Sequence, residues 1–309
     1  MNYKTELIKN AIDANGFQLG GASQVSAGYI NPDIWNRSLV DYQKQNLVIT
    51  PLGMQYNDLL NAPGEVLNVS IDAEPLAASA LIESNDVAID QISFTQVQFT
   101  PTEYGAGYEL SDKEARRSFF KLTENMTSKL SYRLALKKEN LVTQIVTAGA
   151  GHSVVVNDAT SGSLQSSDTL DVKSMIKAMT AIRRSKYTPK DLIVSVEQIG
   201  DLMNLDNFKQ AYAFGGREVI LGGKLGVILG LNVYWTQGIT TDANHSQKAI
   251  MLGVSGTGEA SFGIAQKSNP TIRTQYFARG RYTDIVAVEE YDIKVLHGNA
   301  IATIESYAA

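Results

Sequence analysis

Lys224 sits in a glycine run, Gly222-Gly-Lys-Leu-Gly226, that invites comparison with a phosphate-cradling loop. Such a loop needs a glycine five positions before its Gly-Lys pair and a hydroxyl residue after it to ligate magnesium. Those places hold Glu218 and Leu225, so the glycines read as tight turns. Gly253-Val-Ser255-Gly-Thr257 nearly spells the strained elbow that presents a serine nucleophile, but Thr257 stands where the second glycine is required. A surface turn is the expectation. His152, His245 and His297 are far apart and lack metal-ligand spacing, which leaves them as loop histidines. Glu289 and Glu290, near Asp284 and Asp292, fail as an acid–base pair because neighbours on a strand point to opposite faces. They are expected to be sheet-face and interface charges. Arg279 and Arg281 bracket Gly280 and suit a phosphate or a neighbour's carboxylates, with solvated turn residues as the simpler account.

One charge asymmetry does point to a role. From Gly64 to Glu103 the chain carries Glu65, Asp72, Glu74, Glu83, Asp86, Asp90 and Glu103 and no lysine or arginine. The stretch from Ser111 to Ala148 carries Lys113, Arg116, Arg117, Lys121, Lys129, Arg133, Lys137 and Lys138 against four acids. Complementary fields of this kind fix partner and register between copies. Glu65, Glu74, Glu83 and Asp86 on one side, and Arg116, Arg117, Lys121 and Arg133 on the other, are the candidate inter-subunit contacts. Two independently solvated faces are the plainer alternative.

The elements that must position these charges follow from hydrophobic period. Residues 1–50 are broken by Gly16, Gly20, Gly21 and Gly28 and carry an apolar-aromatic cluster that includes Trp35. Too little apolar area is present for this arm to fold alone, so Trp35 is a further contact candidate. From Gly64 to Glu103 the period is two, flanking a tip near 75–86; a ten-residue strand at ~3.3 Å per residue reaches roughly 33 Å, so the hairpin should project. Ser111-Asp-Lys-Glu114 is a capping box, and apolar residues then recur to Ala148 before Gly149 and Gly151. Roughly 38 residues at ~1.5 Å predict a single helix of about 57 Å. Val172 to Ile182 reads as an amphipathic helix ending before Pro189, Leu192–Val196 as a buried strand and Glu197–Leu205 as a short helix. Thr271 to Ser306 is strand-rich. The fold class is α+β, with expected divisions at 1–50, 51–108, 109–151, 152–267 and 268–309.

Composition narrows the function. A chain of 309 residues with 44% hydrophobic content can bury a core. Its net charge of −5 without blocks of like charge argues against a dedicated nucleic-acid binder, leaving at most weak, non-specific contact with DNA. It has no cysteine, which removes disulfides and thiolate chemistry. No apolar run reaches signal-peptide or membrane-spanning length, so a cytoplasmic product without membrane partners is expected.

The order of arm, hairpin, long helix, mixed domain and returning strands resembles the major capsid proteins of tailed phages, the HK-ninety-seven-type fold. The likeness is carried by Ile34-Trp-Asn-Arg-Ser-Leu-Val40, Gly64-Glu-Val-Leu-Asn-Val69, Leu110-Ser-Asp112 and Leu192-Ile-Val-Ser-Val196. It continues in Gly223-Lys-Leu-Gly226, Leu229-Gly-Leu-Asn-Val-Tyr-Trp235 and Asn299-Ala-Ile-Ala-Thr-Ile304. The resemblance implies an N-arm, an E-loop hairpin, a spine helix and closing strands of a P-domain, and a mixed α/β A-domain. It further implies a non-enzymatic shell protein in the virion capsid, assembled in the host cytoplasm from hexamers and pentamers, with portal and possible decoration partners. No cofactor or metal is implied. Some relatives form an isopeptide cross-link from an E-loop lysine, which this hairpin lacks. Only about fifty residues precede the hairpin, so a separate scaffolding protein is expected. An encapsulin-type compartment is the alternative within the fold; a phage tail or adhesion module, or an enzyme built on 152–267, is the alternative outside it.

Overall fold

A computed structural model describes residues 44–45, 47–60, 62–72, 94–118, 122–204 and 224–308. The capping box forms as expected: the Ser111 hydroxyl accepts from Glu114 N at 3.2 Å and the Glu114 carboxylate accepts from Ser111 N at 3.3 Å. The helix it starts is short. α1 spans Asp112–Arg117 and stops at Ser118, whose ψ of 134° is extended. α2 then runs Leu122–Ala148, 27 residues or about 40 Å at ~1.5 Å per residue. The single 38-residue helix is therefore corrected to two. Lys113, Arg116 and Arg117 crowd like charge at helical spacing, and serine is a weak interior helix former, so the break falls where helix propagation gains least. α2 ends at Ala148, and Gly149 follows it where a Cβ would lie 2.5 Å from a Val295 methyl, so the close approach to β11 requires glycine.

Below α2 lies a four-stranded sheet in the order β1 (Met54–Tyr56), β10 (Phe262–Phe277), β11 (Tyr282–Val295) and β4 (Thr102–Ser111). Strand alternation puts Ile285 and Ala287 of β11, with Ala106 and Tyr108 of β4, against Leu130, Leu134 and Met126 of α2. Glu289 follows the same parity inward and is only 3% exposed, with Lys138 Nζ at 2.6 Å. Glu289 and Glu290 do face opposite ways, as expected. Glu289, however, is a buried partner of α2 and not an interface charge.

The second sheet has six strands in the order β5 (His152–Val155), β12 (Ile301–Tyr307), β9 (Ser246–Val254), β6 (Thr188–Val194), β8 (Leu231–Trp235) and β7 (Lys224–Ile228). Its core is Leu192, Val194, Val233, Met251, Ala302 and Ile304, packed against Met175, Met179 and Ile182 of α3 (Val172–Arg184). Asp171 caps α3 by accepting from Ser174 N at 2.9 Å, and α4 (Val196–Asn204) follows β6 directly. Sequence reading grouped β12 with the strands from 268 onward. The structure places it instead between β5 and β9, because six consecutive residues of β12 are buried on both faces and need a central position.

The hairpin is β2 (Leu67–Asp72) paired antiparallel with β3 (Phe94–Phe99), a sheet of its own. β1 and β4, from the same expected 51–108 division, belong to the four-stranded sheet. At its base Phe99 is buried with Leu59 and Ala265, and Leu67, Val69 and Val97 pack on them. Lys267 Nζ donates to the carbonyls of Ala62 at 2.6 Å and Gly64 at 2.8 Å, fixing where the hairpin leaves the body. Phe94 at the far end is 61% exposed.

Candidate assembly surfaces

The start of α1 and the β10–β11 turn form the basic end of the four-stranded sheet. Asp112 N donates to Arg281 O at 3.0 Å, and Tyr276 Oη donates to Asp112 Oδ2 at 2.9 Å, which ties the helix to the turn. That hydrogen bond pushes the Tyr276 hydroxyl up from its ordinary value, with burial adding to it. Arg116 Nε donates to Asp112 O at 3.2 Å, and its guanidinium lies 3.9 Å from the Asp112 carboxylate. A cavity of about 490 Å³ opens among Ser111, Asp112, Lys113, Arg116, Arg117, Gly280 and Arg281. Arg281 adopts φ +56°, a left-handed conformation that aims the turn back at α1.

Of the residues singled out from sequence, Arg116 and Arg117 meet in this cavity. Arg133 is exposed elsewhere on α2, with its guanidinium 5.6 Å from the Tyr108 ring centroid. Glu65 is exposed before β2. Trp35, Glu74, Glu83, Asp86 and Lys121 lie outside the described residues, as does Glu218. Sequence reading weighed Arg281 as a partner for phosphate or a neighbour's carboxylates and preferred a solvated turn residue. Its signal was the Arg-Gly-Arg spacing, but nothing linear joins residue 281 to residue 113.

Two buried charges hold these surfaces in place. Lys138 Nζ, besides its Glu289 partner, sits 4.7 Å from the Tyr291 ring centroid, a cation held by a carboxylate and an aromatic face. Tyr291 in turn stacks on Tyr104 at 4.7 Å. Burial first, then the Glu289 charge, pushes the Tyr291 hydroxyl well above its ordinary value. Glu139, fully buried, accepts from the backbone N–H groups of Val48 and Ile49 at 2.6 Å and of Thr50 at 2.9 Å. Those donors are Thr50, the first residue of a 3₁₀ helix at Thr50–Leu52, its N-cap Ile49 and the preceding Val48, so the carboxylate meets the N–H groups at the entry to that helix. Together the two residues fasten α2 to β11 on one side and to the entering chain on the other.

Among the described residues, the sequence candidates for catalysis do not come together. Ser255 lies in a turn closed by Ser255 N to Glu259 O and Gly258 N to Ser255 O, at 3.0 and 2.8 Å. His152 shares a hydrogen bond with Ser185 at 3.0 Å and lies in β5, which corrects its assignment to a loop. His297 packs on Tyr187, and His245 stacks on Tyr307. No cluster of three or more histidines or carboxylates suited to a metal occurs among the described residues. A larger cavity of about 630 Å³ beside α2 is lined mainly by amides and hydroxyls, including Gln45, Asn140, Thr143, Gln144 and Gln237, with neither histidine nor cysteine in its wall. No described helix is long and apolar enough to cross a membrane.

This arrangement of a hairpin, an α2-backed four-stranded sheet and a six-stranded mixed sheet is shared with solved chains of phage particles. A solved chain of Mycobacterium phage Che8 superposes with a TM-score of 0.71 over 90% of this chain and 98% of its own, at 14% identity. The capsid of Ralstonia phage GP4 gives 0.67 over 94% and 99% at 12% identity, and the capsid of cyanophage P-SCSP1u gives 0.71 over 93% and 99% at 10% identity. No curated protein matches the sequence itself. The family model described as phage capsid protein matches residues 95–308, more than half of the chain, and the chain belongs to that family. It is a major capsid protein, a structural component of the virion shell.

Proposed function

We propose that copies of this chain associate as hexamers and pentamers into an icosahedral shell around the double-stranded DNA of a tailed virus. In this reading β2–β3 and the tip between them are the E-loop. The P-domain comprises α1, α2 and the four-stranded sheet, the A-domain the six-stranded sheet with α3 and α4, and residues preceding the 3₁₀ helix the N-arm. Assembly takes place in the host cytoplasm with a separate scaffolding protein, around a portal, and the finished surface can accept decoration proteins. Contacts between copies match the acids carried within 64–103 to the basic residues that begin with Lys113.

The observation that carries the proposal is the family match over 95–308 joined to a fold shared along nearly the whole of this chain and of the solved capsid chains. The test is expression of the full chain, alone and with the neighbouring phage genes, followed by negative-stain microscopy. Closed, uniform shells are expected with a scaffolding partner. Chains that stay monomeric in every combination would overturn the reading, and shells that load a protein cargo and no DNA would mark a cellular compartment instead.

A further inference from the structure

The outer face of the four-stranded sheet carries an arrangement that an isolated chain disfavours. In the β4–β11 ladder Glu103 lies directly opposite Glu290, and Glu109 directly opposite Asp284. Glu289 and Ile285 point inward to α2, so by strand alternation all four of these carboxylates project from the other face. Like charges set directly opposite across a ladder repel. None of the four forms an ion pair among the described residues, and neither does Arg273, the cation opposite Val286 on β10. Between the two acidic pairs Gly105 opposes Val288 and Gly107 opposes Val286. The glycines put no side chain over the valines, and Val286 is 39% exposed. The result is a flat apolar floor with paired carboxylates at both ends, about 20 Å apart at ~3.4 Å per residue.

The complementary surface is on the same chain. At the basic end the acids are already engaged, Asp112 by Tyr276 and Arg116, Glu114 by its capping box. Lys113, Arg117 and Arg281 line the 490 Å³ cavity and form no ion pair among the described residues. Resting on the shell reading above, we propose that the basic end of one copy docks on the carboxylate-paired face of the next, head to tail. Glu103 and Glu290 receive the guanidinium groups while the aliphatic stems of the arginines lie along Val286 and Val288. A second copy is the occupant because it offers the matching charge and the same number of copies; a nucleic acid is repelled by four carboxylates. A contact of unlike patches is heterologous, the kind that forms a ring when the rotation between successive copies closes, as capsomers require.

Neutralising one side separates this contact from a structural role. The full chain carrying Glu103→Gln and Glu290→Gln is expected to melt at a higher temperature than wild type when unassembled, since the repulsion is gone. Its shell yield with the scaffolding partner is expected to fall at least about tenfold. Arg117→Glu with Arg281→Glu should also abolish shells, and adding Glu103→Lys and Glu290→Lys to the same chain should restore them, because every head-to-tail contact is then complementary again. Wild-type yield from either neutralised or reversed chain overturns the docking while leaving the shell reading intact. Absence of shells from wild type itself removes the shell reading. Rescue of the arginine variant by reversal of Glu83 and Asp86, and not of Glu103 and Glu290, assigns the seat to the hairpin tip and also overturns the proposal.

Discussion

Lys138 and Glu289 show how a residue legible only as a charge becomes a fastener. Lysine and glutamate recur throughout the sequence, yet these two meet at 2.6 Å with little solvent, so each depends on the other for its burial. Removing one partner leaves an uncompensated ion. Lys138→Met is therefore expected to destabilise the unassembled chain by about 3–5 kcal/mol, whereas Lys138→Met with Glu289→Leu should recover most of that loss. Urea unfolding of the two single variants and the double variant measures the coupling. Additive losses would mean that the pair does not act as a unit. Glu139 makes the opposite choice, since its buried carboxylate is satisfied by backbone N–H groups with no cation required. Both roles depend on where α2 lies, and no spacing in the sequence announces either.

Two elements carry testable behaviour of their own. The loop between β5 and α3 is held by carboxylates: Glu305 accepts from the Ser161 hydroxyl at 2.6 Å, the Ser246 hydroxyl at 2.8 Å and Gly162 N at 3.1 Å. Burial pushes the Glu305 carboxyl up, but these hydrogen bonds and nearby Lys248 together outweigh it and hold it below its ordinary value. Asp168 is likewise held low, first by Gln165 N and then by the Asn157 amide. A depressed carboxyl stabilises the fold above its unfolded pKa, and the contribution is lost as pH falls through the folded one. Amide-exchange protection of residues 157–168 is thus expected to be flat near neutrality and to decline below about pH 4, and to fall by less in Ser161→Ala, where Glu305 has lost one of the hydrogen bonds that hold it low. An equal acid-induced fall in that variant and wild type would count against the carboxylate clamp. The β2–β3 hairpin is a two-stranded sheet, marginal without partners, with Phe94 largely exposed. Its amides beyond the Phe99 base should exchange rapidly in monomers and slow markedly in shells. Equal protection in both states would show that the hairpin gains nothing from assembly.

At the scale of the whole molecule, cohesion between copies comes from repeated non-covalent contacts. With no cysteine in the chain and no lysine between Gly64 and Glu103, disulfide ladders and hairpin cross-links both lack a reactant. Mature particles boiled in detergent are expected to release one band near 33.6 kDa, and a ladder of multiples would refute this. The sequence by itself determined the local elements: the Ser111–Glu114 cap, the period-two runs of β2 and β3, the helix that became α3, and the acid–base asymmetry around residue 103. Each depends on neighbours a few residues apart, where periodicity and capping act directly. The tertiary structure decided what joins distant positions. It broke the long helix at Ser118, moved β12 into the six-stranded sheet, buried Glu289 under α2, and brought Arg281 to Arg117. It also set Glu103 opposite Glu290. Strand order and cross-strand register are chosen by which faces bury the most apolar surface without orphaning a polar group, a competition over the whole chain that no single window of residues contains.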